Sequence, residues 1–166
     1  MGRSMLPVGA VVAKPAGGIY VLLLEVRGEV RVGALGPIKF DGRYAYVGSA
    51  RGPGGFKRVA RHCRLAAGQA APGHWHIDRL LKHGRLEAVF IRQTADPGAE
   101  CALATELARF LPPAVRGFGS ADCRCPTHLF QVPVVTILAV RLTDLGFIRS
   151  GPEAWASGSQ PSRRPG

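Results

Sequence analysis

The chain has 166 residues, 46% of them hydrophobic and 20% charged, which is ordinary globular composition for one domain and excludes collagen, coiled-coil and disulfide-scaffold classes. Lys plus Arg number 22 against 11 acids, a formal net charge of +11. A balance this basic points to a polyanionic partner, nucleic acid before an anionic membrane surface. Four cysteines, Cys63, Cys101, Cys123 and Cys125, are too few for a disulfide framework, and reduced thiols in a cytoplasmic protein are the simpler expectation.

Three segments bear on organisation. Met5 to Ala13 follows Arg3 and has the look of a short signal core, but Lys14-Pro15 comes at once without a small-x-small cleavage site. Residues 1–16 are therefore expected to be a mature N-terminal extension. The longest mostly apolar run, Val132 to Val140, includes Pro133 and Thr136 and falls well short of the ~20 residues of a spanning helix. No membrane association is expected. Residues 149–166 are rich in Gly, Pro and Ser and are expected to form a disordered basic tail, leaving 17–148 as the folded domain.

In chain order, Gly18 to Val26 (GIYVLLLEV) predicts a strand, and Arg31 to Phe40 a weaker one broken by Gly33, Gly36 and Pro37. Asp41-Gly42 is a turn signal, after which Arg43 to Ala50 predicts a third strand and completes an antiparallel meander. The glycine-rich turn 51–55 leads into a helix with Phe56, Val59, Ala60 and Cys63 on one face. His74 to His83 predicts a second short helix. Arg85 to Thr94 predicts a strand with Leu86, Ala88, Phe90 and Arg92 on one side. Asp96-Pro97 opens a helix with Leu103, Leu107 and Phe110 inward, stopped by Pro112-Pro113. His128 to Val132 predicts a short strand and Val134 to Leu145 a last helix ended by Gly146. The fold class is α+β, a small three-stranded antiparallel sheet flanked by helices.

Five constellations carry chemistry. Tyr20 and Tyr46 can present two phenols on one sheet face, although strands commonly carry tyrosine without function. Arg51, Lys57, Arg58, Arg61 and Arg64 are five cations within 14 residues with no acid among them. They are candidates for phosphate binding, since the guanidinium fork makes paired charge-assisted bonds. Arg58 and His62 stand at i and i+4, on a helix face expected to point away from the apolar stripe. Glu100 falls at the margin of its helix's buried stripe, where a carboxylate needs a partner or a metal. His74-Trp75-His76-Ile77-Asp78 lacks zinc-protease spacing and reads as helix-start packing around Trp75. Cys123, Cys125 and His128 offer three zinc ligands, with Cys101 as a potential fourth.

The order of these features resembles the GIY-YIG nuclease superfamily: Gly18-Ile19-Tyr20, then Tyr46-Val47-Gly48, then Arg58 with His62, then Glu100. Within it, Tyr46 to Ala50, Gly52 to Gly55, Arg61-His62, His74 to Asp78, Glu100-Cys101 and Ser120 to Phe130 are similar to one branch. That branch comprises small proteins found alone or fused to endonuclease-III-like DNA repair proteins. The resemblance covers about residues 17–132. It implies metal-dependent hydrolysis of phosphodiester bonds, with DNA as partner and DNA repair as setting.

By resemblance, Tyr20 would activate or contact the attacking water and Tyr46 would assist it or hold the phosphate. Arg58 would bind the scissile phosphate, His62 would hydrogen-bond within the site, and Glu100 would hold Mg²⁺ or Mn²⁺. Tyr20 as a base requires nearby cations to lower its pKa. Two departures accompany the match. The tyrosines stand 26 residues apart, farther than the family's triplets usually do, so an insertion is expected to loop out between their strands. The family's late Asn has no clear counterpart, and Ser120 or Asp122 would stand in. The competing readings are a nucleic-acid-binding module without turnover and a zinc-stabilised accessory domain that recruits a partner.

Overall fold

A computed structural model describes residues 17–70, 73 and 75–157. The N-terminal extension, His74 and the end of the basic tail lie outside the described residues. The elements in order are β1 (Gly18–Arg31), β2 (Pro37–Ser49), α1 (Lys57–Ala66), α2 (His76–His83), β3 (Arg85–Gln93), α3 (Ala99–Leu107), β4 (Leu129–Gln131), α4 (Val135–Asp144), β5 (Ile148–Ser150) and α5 (Glu153–Ala156). They form an α+β architecture around one antiparallel sheet of order β4-β2-β1-β3-β5. The sheet has five strands where three were expected. Both edge strands are three residues long: β4 falls within the short strand expected at His128 to Val132 and pairs with β2, while β5, in the segment expected as tail, was not foreseen.

Strand β1 is central and buried on both faces, which is why it reads as an almost unbroken apolar run. Tyr20, Leu22, Leu24 and Val26 face one core with Val59 and Cys63 of α1, Leu80 of α2 and Trp155 of α5. Ile19, Val21 and Leu23 face a second core with Leu103 and Leu107 of α3 and Leu138 and Leu142 of α4. The sheet is thus the middle layer of three, and Tyr20 and Tyr46 point into the first core.

The meander is replaced by one long hairpin. β1 and β2 pair without interruption from Ile19↔Ser49 to Arg31↔Pro37. The reversal falls at Val32 to Gly36, where Gly33 and Gly36 take positive φ. Asp41-Gly42, expected as a turn, lies inside β2 opposite Arg27 and Val26. Glycine there accommodates φ of 141° within the ladder. Register wins over local turn chemistry because it keeps Val26, Val30, Phe40 and Tyr44 on one buried face. The same hairpin accounts for the separation of the two tyrosines. No insertion loops out; Tyr20 pairs with Gly48, and Tyr46 with Leu22, at the far end of an extended ribbon.

Strand β3 departs from simple alternation. Leu23 pairs with Ala88 and Leu24 with Leu86, so Glu87 is an extra residue in the β3 ladder. The bulge sends Leu86 to the first core and Ala88 and Phe90 to the second, whereas plain alternation puts all three together.

Residues 149–157 are not a disordered tail. β5 pairs with β3, and α5 packs on α1. Trp155 is 2% exposed, stacks edge-on to Phe56 at 6.4 Å and donates its indole N–H to Ser150 Oγ at 2.8 Å. One large aromatic anchors a segment whose Gly/Pro/Ser content otherwise reads as unstructured. Trp155→Ala is expected to lower stability by about 3 to 5 kcal/mol through the lost burial and the cavity left behind. Urea unfolding of the full chain measures it; a change within error would return the segment to tail status.

Candidate active site and metal centre

A chain of polar side chains runs through the first core. Tyr20 Oη stands 2.8 Å from His62 Nε2. His62 Nδ1 faces Asp78 Oδ1 at 3.6 Å. Asp78 in turn accepts two bonds from the Arg61 guanidinium, at 3.0 and 3.1 Å, and one from the backbone N–H of Trp75 at 3.2 Å. Tyr20, His62 and Asp78 are all buried. His62 was expected on an exposed helix face; it is turned into the core, where the Tyr20 hydroxyl pairs with Nε2 and the Asp78 carboxylate stands near Nδ1 without hydrogen-bonding it. Burial, the largest influence, lowers the His62 pKa below its usual value despite Asp78. The ring is therefore neutral at pH 7. A proton on Nδ1 faces the carboxylate, which leaves Nε2 to accept from the tyrosine O–H.

The two phenols are neighbours, their ring centroids 6.3 Å apart. Gly48, in the second triplet, permits this approach. A β-carbon there would lie 2.3 Å from the Tyr20 ring. Burial raises the Tyr20 pKa well above its usual value, and the Tyr46 and Glu100 charges add to this while Arg58 opposes it. Tyr46 is raised for the same leading reason, with Glu100 next. The expectation that cations lower the tyrosine pKa is thus corrected. Arg58 acts in that direction, but removal of the phenol from water outweighs it. Arg58 and Glu100 thus both act on the two phenols, with opposite sign.

Arg58 is exposed, and its guanidinium donates to the Ser49 carbonyl at the end of β2 at 2.7 Å. It also lies 4.8 Å from the centre of the Trp75 ring, as does Arg61. The expected phosphate-binding set divides. Arg51, Lys57, Arg58 and Arg64 enter no ion pair among the described residues. Arg61 is committed to Asp78, because a fully buried carboxylate requires a charged partner. Trp75, 40% exposed beside these cations, adds an aromatic face to the basic surface. Asp78 is the member of the candidate site that sequence reasoning missed. Its signal was present in the motif His74 to Asp78, but only the fold brings it behind His62.

On the other flank of Tyr46, a loop after Phe118 carries Cys123 and Cys125 back to His128. The loop closes through His128 N–H to the Phe118 carbonyl and Gly117 N–H to the Pro126 carbonyl, at 2.8 and 2.7 Å. Cys101, in the first turn of α3, completes a Cys3His cluster whose ligand atoms all lie within 4.8 Å of one another. His128 Nε2 is 3.5 Å from Cys123 Sγ. The cluster can hold a metal ion. Burial and the neighbouring thiols of Cys101 and Cys123 push the Cys125 pKa up to about 12.

Glu100 stands beside this cluster. Its Oε1 is 2.9 Å from His128 Nδ1, and its side chain is partly exposed at the stripe margin. Among the described residues no second acid joins it in a metal-holding group. A hard cation at Glu100 would draw its other ligands from water and substrate phosphate. Ser120 is buried, its carbonyl accepting from Cys123 N–H at 3.4 Å, which places it with the Cys3His loop.

The buried ionisable groups set a pH profile. A neutral native His62 means the unfolded chain binds more protons below pH ~6.5, so stability falls as pH drops below that value. The raised tyrosines keep their protons in the native state, so stability is lost as pH climbs above ~10. Thermal unfolding between pH 5 and 11 is expected to give a plateau bounded on both sides. In His62→Gln the acid-side loss should shrink; an unchanged acid limb would show that His62 is not buried neutral.

No helix among the described residues is long and apolar enough to cross a membrane. Cavities of about 500 Å³ beside Cys63 and Pro152, and about 380 Å³ beside Ile137 and Val140, lie away from the tyrosines. The candidate site is instead an open surface around buried polar groups. No curated protein and no solved structure matches the chain significantly. A family does: over residues 19–145, which include every residue of both constellations, the chain belongs to the family described as domain of unknown function DUF123.

Proposed function

We propose that this protein is a GIY-YIG-type endonuclease that hydrolyses phosphodiester bonds in DNA with a divalent metal, in DNA repair. The observation that carries the reading is the 2.8 Å contact between Tyr20 and His62, backed by Asp78. A neutral tyrosine cannot take a proton from water unless its own proton leaves. Here the hydroxyl proton passes to His62 Nε2 as Tyr20 accepts one from the attacking water. Asp78, held by Arg61, offsets the imidazolium that results. This is the orienting logic of a base supported by a buried carboxylate.

The remaining residues fit the same chemistry. Arg58 stands at the surface mouth of this chain, where its fork can grip non-bridging phosphate oxygens as charge develops on them. Tyr46 packs against Tyr20 and offers a second hydroxyl to the phosphate. Glu100 would hold Mg²⁺ or Mn²⁺, which supplies Lewis-acid stabilisation of that charge. The unpaired cations Arg51, Lys57 and Arg64 and the exposed Trp75 give a surface that suits a polyanion carrying bases that stack. The Cys3His cluster has the ligand set and closure of a structural zinc site, so zinc is the ion we assign to it. The thiols form no disulfide, which supports a cytoplasmic setting.

Cleavage of duplex, flap, branched and single-stranded DNA in Mg²⁺ or Mn²⁺ tests the reading. Tyr20→Phe, His62→Gln and Glu100→Gln are each expected to cut the single-turnover rate by about 10²-fold or more with DNA affinity retained. Affinity should fall steeply with salt through the unpaired cations. Near-normal cleavage by Tyr20→Phe and Glu100→Gln would overturn the mechanism. Binding without cleavage of any substrate by the unaltered chain would favour the non-catalytic module.

A further inference from the structure

We infer that His128 couples the Cys3His metal centre to Glu100, one ring nitrogen ligating the metal and the other holding the carboxylate. This rests on the zinc assignment and, for its consequence on catalysis, on the nuclease reading. His128 Nε2 is the nitrogen that faces Cys123 Sγ, at 3.5 Å, and belongs to the cluster. Nδ1 is buried and has no hydrogen-bond partner among the described residues; the Glu100 carboxylate, 2.9 Å away in an ion-pair contact, is the group beside it. A metal on Nε2 leaves the ring proton on Nδ1, and a small turn of the partly exposed Glu100 side chain brings its carboxylate into line to accept it. Carboxylate–imidazole–metal arrays of this kind fix ring orientation and strengthen the ligand.

Two elements are joined in this way. Cys101 and Glu100 are adjacent in the first turn of α3, so the metal grips this turn twice: directly through sulfur, and indirectly through His128. With Oε1 turned to the imidazole, only Oε2 remains for a hard cation. Glu100 therefore binds Mg²⁺ or Mn²⁺ through one oxygen, and that oxygen's position is set by the zinc loop. His128 is a positioning residue for the hydrolysis, and Glu100 is an outer partner of the zinc. The Cys3His centre, 28 residues of chain away from Glu100 at its histidine, becomes a structural part of the active site.

Zinc affinity of the full chain, measured by competition with a chromophoric chelator, tests the coupling without reference to activity. The unaltered chain is expected to bind one zinc ion. Glu100→Gln, nearly isosteric, should weaken that affinity about tenfold or more, as loss of an outer-shell carboxylate does. With Co²⁺ in place of zinc, the same variant should shift the visible ligand-field bands. His128→Cys offers a fourth sulfur to the metal but deletes the imidazole; it should keep one zinc and DNA affinity while raising the Mn²⁺ concentration needed for half-maximal cleavage. Absence of zinc from the unaltered chain would overturn the inference, as would unchanged zinc affinity and Co²⁺ spectrum in Glu100→Gln. If no substrate is cleaved, the nuclease reading falls, while a tenfold loss of zinc affinity in Glu100→Gln still establishes the link.

Discussion

An ionised carboxylate with no exposure to water survives only among donors that replace its hydration, and Asp78 meets that condition through an arginine fork and a backbone N–H. Much of the candidate site depends on this arrangement. Arg61 is drawn inward from a basic helix, which leaves its neighbours to face solvent. The start of α2 is tied down at Trp75, which sets the indole beside Arg58. His62 gains a negative neighbour on Nδ1 and so presents Nε2 to Tyr20. A single buried charge thereby orders two helices and the central strand around one phenol.

The two cores give that arrangement its rigidity. Because β1 is covered on both faces, Tyr20 cannot move without disturbing the packing of Leu22 and Leu24 on its own face or of Ile19 and Val21 on the other. Gly48 completes the fit by leaving room where any side chain would strike the ring. Reactive groups held on a sheet and on helix faces are positioned more closely than groups on loops. The open surface beyond them, basic and with one aromatic, suits an extended ligand better than an enclosed small molecule.

The Cys3His loop occupies the remaining side of Tyr46. Phe118 packs edge-on against Tyr46 at 5.9 Å, and the loop that follows returns to the sheet through Val47 N–H and the His128 carbonyl. A short loop with several thiols has little apolar surface of its own to bury. A metal held by the Cys3His cluster would add to its order. The loop presents an imidazole to the first turn of α3, and this is where the Cys3His cluster and Glu100 meet.

Local pattern carried much of this. The apolar run of β1, the stripe of α1, the 3.6-residue spacing of α3, the helix ended by Gly146 and the order Tyr20, Tyr46, Arg58, His62, Glu100 were legible because each is a short-range property. The Cys-x-Cys-x2-His spacing was legible for the same reason, with Cys101 foreseen as its partner. What the tertiary structure decided depends on contacts between distant segments. Register placed Asp41-Gly42 inside a strand, since burial of Phe40 and Tyr44 outweighs a dipeptide's turn preference. One bulge in β3 moved Leu86 to the opposite core. Trp155 found a pocket that composition alone could not reveal. Burial raised the pKa of two phenols, outweighing the opposite pull of Arg58, and the packed layers turned His62 inward and brought Asp78 behind it and Glu100 beside His128. The electrostatics of a site follow from which groups lose water together, and that is settled only when the layers close.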